Sequence, residues 1–585
     1  MARSPLPSPA ESRIALATLT GLVLLSPWLF GGVHPLAART IATVALAATL
    51  TVAALSIARR QTWPMDRDVR RIAGAAFLLW LLGALQLVPL PPVVHTALAP
   101  GSAAMWHPLE PVAAAVLGPG PHPISVYPTA TARWLAFFPA IVGLALASLP
   151  ALRGRERLLT IASLVIGSAT LIALYAFVAR LWFGNLLFGR YESLVRPFGP
   201  FVSKNHFAGY AEMAALLAVG LAAGLAAENR DGTGVWSWIA SPRANRVVAA
   251  WAAAAVLLLA VPVSLSRGGV LSLTLGLLVF ALLRVASSGA TRRLRLSLAA
   301  FGSMALLAAV LASVLPEAAR VRIGTIVQGG GDGSSSYRLG LWRDTLRLAA
   351  SSPLVGSGLG AYADAIPRFK TGAGDVRVEH AESDILEVAA ETGLAGVSLV
   401  AAALALVFRV GWRRVRADPH RLSRAVRTGG LAALGALAVH SLFDFNLRIP
   451  SNALLAALLA ALVLAPVSLA QDRGDATRRA PGWPVGFVAL TILPLLAALA
   501  VPWVDSRDFA LGLSLRTGSL RRATAEEEVL SHLRHRPGDA EAWLVLAWLR
   551  LPDGDGEAGA LARLAMRRDP ADQRLSRAAR SITDR

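Results

Sequence analysis

Three arginines in the middle of the chain stand where arginine is costly to keep. Arg196 lies in RPFGPFVSKNHFAGY, Arg267 in SLSRGG between two apolar runs, and Arg338 in SSSYRLGLWRD. An arginine at membrane depth costs a few kcal/mol unless it is paired or hydrated. Its planar fork of donors is also the side chain best matched to phosphate oxygens. Arg196, Lys204, Arg267 and Arg338 are therefore candidate ligands of an anion, and a diphosphate fits them best. The alternative is that each guanidinium snorkels to lipid headgroups or pairs with a loop carboxylate.

A second group, His380, Glu382, Asp384 and Glu387, sits in VEHAESDILEVAAETG. On a continuous helix His380, Asp384 and Glu387 share a face while Glu382 projects to the other side. Glu382 or His380 near the arginines would serve as a general base. The alternative is a solvated helix start, where acidic residues meet the positive end of the dipole. A third group, His440, Asp444 and Arg448, recurs every fourth residue at the end of an apolar run. On a helix that persists to Arg448 these form one polar stripe, either functional or a clamp between two spans.

The elements that must position these groups are membrane helices. Of 585 residues, 55% are apolar and 16% charged, and the mean hydropathy is +0.55. Soluble domains run at about 45–50% apolar and about 25% charged, so a soluble enzyme and a disordered scaffold are both excluded. There is no cysteine, hence no disulfide, thiol nucleophile or thiolate metal site. Stretches of about 20 apolar residues are span candidates. About thirteen occur, near 13–32, 40–58, 72–90, 132–150, 158–178, 207–227, 247–265, 270–287, 296–315, 391–408, 428–445, 449–470 and 484–503. Pro27, Trp28 and Phe30 occupy the place of a small-residue cleavage site, so the first span is expected to stay.

Arginine and lysine collect in cytoplasmic loops. With the N-terminus inside, the inner loops hold 25 basic residues and the short outer segments 8. Most of the net charge of +21 is therefore topology, and nucleic acid is not an expected partner. Two segments remain outside the bilayer, a loop at 316–390 and a tail at 504–585, both expected on the extracytoplasmic face. In the loop, Leu339, Trp342, Leu346 and Ala349 recur at helical spacing across Ser334–Ala350. Pro353 stops that helix, and Gly356, Gly358 and Gly360 read as a flexible corner. A second helix is expected over Ala361–Phe369 and a third from about Ala381 into the tenth span. The fold class is thus all-α: a polytopic membrane protein with a helical extracytoplasmic cap and a helical C-terminal tail.

Five stretches, in order, resemble the O-antigen ligase and O-antigen polymerase superfamily of bacterial envelope proteins. They are GPFVSKNHFAGY, SLSRGG, SSYRLGLWRDTLRLAASSPLVGSGLGAY, HAESDILEVAAETGLAG and HSLFDFNLRIPSNA, with SVYPTATARW as a fainter match. The resemblance divides the chain into N-terminal membrane helices at 1–190, a ligase-like core at 191–470, a last span at 471–503 and the tail at 504–585. It implies a multi-pass protein of the bacterial inner membrane that moves glycan from an undecaprenyl-diphosphate carrier to an acceptor hydroxyl. Growing polysaccharide, lipid A core of lipopolysaccharide, or a protein serine are the acceptor types it implies. It gives Arg267 and Arg338 to the diphosphate, and expects a histidine eleven residues before a glycine. Counting back from Gly393 that position is Glu382, with His380 two residues earlier. This departure favours a polymerase or exopolysaccharide branch over a ligase.

The tail segments HRPGDAEAWLVLAWLRL and RRDPAD resemble tetratricopeptide hairpins, with Pro537 and Pro570 separated by 33 residues, near the repeat's period. Such repeats present a groove for an envelope protein partner. No metal and no cofactor are expected, since neither a phosphate-binding P-loop nor His-x-x-x-His spacing occurs, and Asp553-Gly-Asp555 reads as a turn. The chemistry expected is a one-step inverting displacement, with arginines holding the leaving diphosphate and Glu382 or His380 taking the hydroxyl proton. The rivals are a flippase or exporter of lipid-linked saccharide and an envelope scaffold. Transporters commonly show two related halves, and no internal repeat is found in the membrane part.

Overall fold

Helix Arg155–Phe183 shows what solvent this chain is built for. Leu158, Ile161, Ala162, Val165, Ala169, Ile172, Ala173 and Ala176 are buried on one side. Leu164, Leu171, Leu174, Val178 and Leu181 recur at helical spacing on the other side and are exposed. An apolar stripe of that length facing outward suits lipid and not water. Trp182 follows the stripe near the end of the helix, 78% exposed, and aromatic side chains are enriched at membrane interfaces.

The computed structural model describes residues 10–59, 67–192, 196–228, 242–287, 333–372, 374–467, 522–553 and 555–584. Among these the protein is helical, with isolated β-bridges and no strand. Seven described helices are long and apolar enough to cross a membrane: Pro35–Ala58, Pro128–Ser148, Arg155–Phe183, Lys204–Glu228, Ala244–Val263, Arg267–Ala286 and Asp384–Ala417. Pro450–Leu464 is shorter and equally apolar. The expected spans at 13–32, 72–90 and 428–445 are helices Ala10–Leu25, Arg67–Leu85 and Arg421–His440, outside that set of seven. Those expected at 296–315 and 484–503 lie outside the described residues, so the expected thirteen are a polytopic protein with seven qualifying spans described.

The described residues form two compact units. The first is drawn from residues 1–74, 139–330 and 403–495, and the second from 75–138, 331–402 and 496–585. Residues 75–138 share the second unit with described residues of the cap and the tail.

In the first unit, helix Lys204–Glu228 is buried along nearly its whole length. Its neighbour Arg421–His440 crosses it at glycines: a Cβ on Gly220 would meet the Ala425 carbonyl oxygen at 2.7 Å, and one on Gly429 the Leu216 carbonyl oxygen at 2.5 Å. Small residues let membrane helices approach this closely, which replaces the missing hydrophobic drive with dispersion contacts. At the far end Arg427 donates to the carbonyls of Leu462, Val463 and Ala465, closing helix Pro450–Leu464, and pairs with Asp418. Three ion pairs join segments that the charge pattern assigns to one face: Arg59 with Glu11, Arg413 with Asp68, and Arg155 with Glu228.

In the second unit the cap helix runs Gly333–Ser351, close to its expected bounds. Leu341, Asp344, Thr345 and Leu348 point inward, while Leu339 and Leu346 are exposed. The second cap helix is Tyr362–Ala365 continued by a 3-10 turn Ile366–Phe369, and the third is Asp384–Ala417. The glycine corner is packed and not flexible. Gly356, Gly358 and Gly360 all have positive φ, and a Cβ on Gly356 would meet the Glu391 carbonyl carbon at 2.2 Å. Gly393, the non-helical residue inside Asp384–Ala417 (φ 59°), lies equally tight against the Leu354 backbone. Buried Gln86 pins this corner, donating to the carbonyls of Val355 and Glu391 and accepting from Leu359 N–H. Three short helices, Pro92–Leu98, Pro100–Trp106 and Pro111–Leu117, complete the unit with the tail helices.

Candidate active site

Helix Asp384–Ala417 begins after the residues that matter. His380 and Glu382 both precede it, so the helical faces expected for them do not apply. Glu382 instead adopts φ 53°, a left-handed conformation that costs a non-glycine residue roughly 1–3 kcal/mol. Its Oε2 accepts a hydrogen bond of 2.8 Å from Arg338 Nη2 on the cap helix, with each side chain about a quarter exposed. His380 Nδ1 lies 3.0 Å from Oε1 of buried Glu387, whose other oxygen accepts the Ala381 N–H at 3.0 Å. The cap thus brings Arg338 to Glu382 and tethers His380 through Glu387. Asp384, at the first position of the helix, is buried.

The first unit holds the other candidates. Lys204 opens helix Lys204–Glu228 and donates from Nζ to the carbonyl of Leu265 at 2.8 Å. Leu265 itself has positive φ (60°), and Ser266 caps helix Arg267–Ala286 through the Gly269 N–H. Lys204 and Arg267 are each the first residue of a helix, where the macrodipole disfavours a cation and favours an anion. Two cations at two positive helix ends concentrate charge that suits a phosphate group. Arg196 is exposed, and its carbonyl accepts the Lys204 N–H at 2.9 Å.

The expected stripe His440–Asp444–Arg448 does not form on one helix. Helix Arg421–His440 ends at His440, Asp444 lies in the following turn, and Arg448 belongs to the 3-10 turn Asn446–Arg448. The fully buried His440 Nδ1 instead meets Glu212 Oε1 at 3.1 Å, and its Nε2 lies 3.9 Å from Asp444 Oδ2. His206 Nε2 stands 3.7 Å from the other Asp444 oxygen. Asn452 Nδ2 donates to the His206 carbonyl at 2.9 Å and to Asn446 Oδ1 at 2.8 Å. This network fastens Lys204–Glu228 to Arg421–His440 and the turn beyond it.

Glu212 and His206 were not among the expected site residues, whereas Glu387 stood in the second group without an assigned role. Glu212 carried a signal, as a lone carboxylate inside an apolar run. Among the described residues, no group of three or more histidine, aspartate or glutamate side chains is arranged to hold a metal ion.

Residues 252–401, which contain Arg267, Arg338, His380 and Glu382, match the family model described as O-antigen ligase. No curated protein matches the chain. Over that segment the chain is similar to the O-antigen ligase family.

Proposed function

We propose that the protein is an inverting membrane glycosyltransferase acting in bacterial envelope polysaccharide synthesis. It takes glycan from an undecaprenyl-diphosphate carrier at the outer face of the inner membrane and joins it to an acceptor hydroxyl, as a polymerase or ligase. The observation that carries this reading is Glu382, held in a strained backbone conformation against Arg338 within the matched segment.

The pair explains how the site stays off until the donor arrives. Arg338 is neutralised by Glu382 in the free protein. A diphosphate competes for the guanidinium fork, and its capture releases the Glu382 carboxylate. Glu382 then accepts the acceptor's hydroxyl proton as the oxygen attacks the anomeric carbon. The bond from that carbon to the diphosphate breaks on the opposite face, and the diphosphate leaves with the electron pair. Arginine held in place beforehand stabilises the charge that grows there. In the first unit, Lys204 and Arg267 are a separate cationic locus of a kind that suits a phosphate group.

The test uses the full-length protein in lipid nanodiscs with an undecaprenyl-diphosphate-linked glycan and candidate acceptors. Joined glycan together with released carrier diphosphate is the expected result. Movement of intact donor between leaflets, without release, would make the protein a transporter. Sidedness is checked separately in spheroplasts. Ser335→Cys and Ser531→Cys should label with an impermeant thiol reagent, and Met65→Cys and Arg416→Cys only after permeabilisation.

A further inference from the structure

The C-terminal helices Arg522–Leu533, Ala540–Arg550, Asp555–Arg568 and Gln573–Thr583 share one core with Ala113, Val116 and Leu117 of helix Pro111–Leu117. They also grip the second cap helix at both ends. At its start, Arg536 donates from Nε and Nη2 to Asp364 Oδ1 at 2.9 and 2.6 Å, with both side chains buried. The same guanidinium lies over the Tyr127 ring, 4.3 Å from its centroid, a favourable cation–π placement. Beyond its end, Lys370 Nζ donates to Asp569 Oδ2 at 2.9 Å. Backbone meets backbone here as well. A Cβ on Gly538 would come within 2.4 Å of the Asp364 carbonyl oxygen, and Trp543 Nε1 holds the turn by donating to the Pro537 carbonyl.

The gripped segment connects to the candidate active site. Tyr362 meets Thr345 of the cap helix, hydroxyl to hydroxyl, at 2.7 Å. Thr371 donates its N–H and hydroxyl to Asp344 of the same helix, each at 2.8 Å. That helix carries Arg338 in its first turns.

We infer that the C-terminal helices are a fixed wall of the cap, and that Arg536 is a positioning residue. It holds segment 362–371 and, through Thr345 and Asp344, sets the cap helix that presents Arg338 to Glu382. The role in turnover rests on the proposed function; the mechanical coupling does not.

Hydrogen exchange of the full-length protein in nanodiscs separates the two. Arg536→Ala should speed exchange across 362–371 and in the first turns of the cap helix by about tenfold or more, as local opening becomes easier. Gly538→Ala, which changes no charge, should do the same by wedging the turn off Asp364. Arg536→Asp combined with Asp364→Arg should recover part of the protection. In the glycan-transfer assay, Arg536→Ala should lower turnover by ~10-fold or more, as small misplacements do, while the donor KM stays within about twofold, as expected when binding is left intact. Unchanged exchange at 362–371 in both single variants would overturn the coupling. Changed exchange with wild-type turnover would overturn the positioning role. A wild-type protein without transfer activity would refute the proposed function, and exchange would still decide the coupling.

Discussion

Two clusters in this protein use the same residue types and do different work. In the first unit, Glu212, His440 and Asp444 are sealed, each almost fully buried, on helices and a turn whose backbone is relaxed. In the second, Arg338 and Glu382 are a quarter exposed, and Glu382 sits in a left-handed conformation. A sealed acid–imidazole pair can fasten two helices but cannot reach a polymer. A half-open pair with a strained member can exchange its partner for a substrate. Access and backbone strain, more than residue type, separate the clamp from the candidate machinery.

The comparison can be broken from the sealed side first. Glu212→Ala removes the carboxylate that faces Nδ1 of buried His440, and truncating one member of a buried pair costs about 3–5 kcal/mol. Thermal unfolding in detergent should show a large loss of stability, with protein that remains folded keeping its turnover. A fully stable Glu212→Ala that has lost turnover would move the chemistry into the first unit.

From the open side, Arg338→Lys keeps charge but loses the fork, and turnover should fall by ~10²-fold or more. Thermal stability should barely change, because this pair is partly solvated and such pairs are worth at most about 1 kcal/mol. Arg267→Lys sharpens the contrast. A comparable loss would give the first unit's cationic locus a share in holding the diphosphate. Near-normal product from both variants would rule out bidentate recognition.

A smaller effect is set by pH at the tail, away from both clusters. Asp539 caps helix Ala540–Arg550 and pairs with His532. Its burial would raise its pKa, but the His532 hydrogen bond and charge prevail and hold it down to about 2. A depressed carboxylate contributes stability that is present above its unfolded value and lost as pH falls through the folded one. Asp539 should therefore add about 2 kcal/mol at neutral pH, lost between about pH 4 and pH 2. Asp539→Asn should remove that acid-side slope in denaturation curves. An unchanged slope would show that the cap and the ion pair do not carry it.

Much of this was legible in the sequence because membrane helices follow from apolar length alone. The cap helix was placed within a residue of its ends, since Ser334–Ser336 and Pro353 punctuate it. The spacing did not give its buried face: Leu339 and Leu346 carry the apolar period yet are exposed, while Leu341 and Leu348 pack inward. In a membrane protein an apolar face need not be a protein-facing face, so periodicity loses its usual meaning. The glycine corner looked flexible because glycine permits motion. Here it permits contact, with the Gly356 and Gly393 backbones pressed against Glu391 and Leu354. The three short helices at 92–117 were missed although each has proline at its first position, a helix-start signal that is easily taken for a loop in a proline-rich stretch. Glu382's conformation could not be read at all, because nothing in HAESD marks a left-handed residue.

The central claim is that donor binding frees Glu382 from Arg338 to act as the base. It is tested most directly by Glu382→Gln in the reconstituted full-length protein, measuring turnover and donor KM together. Glutamine keeps the size and removes proton acceptance, so turnover should fall by ~10²-fold or more. Donor KM should stay level or drop, because Arg338 no longer has a carboxylate to give up. Glu382→His should restore part of the turnover, and His380→Asn should cost little. Near-normal turnover in Glu382→Gln, with activity lost in His380→Asn, would contradict the claim and assign the proton to the histidine.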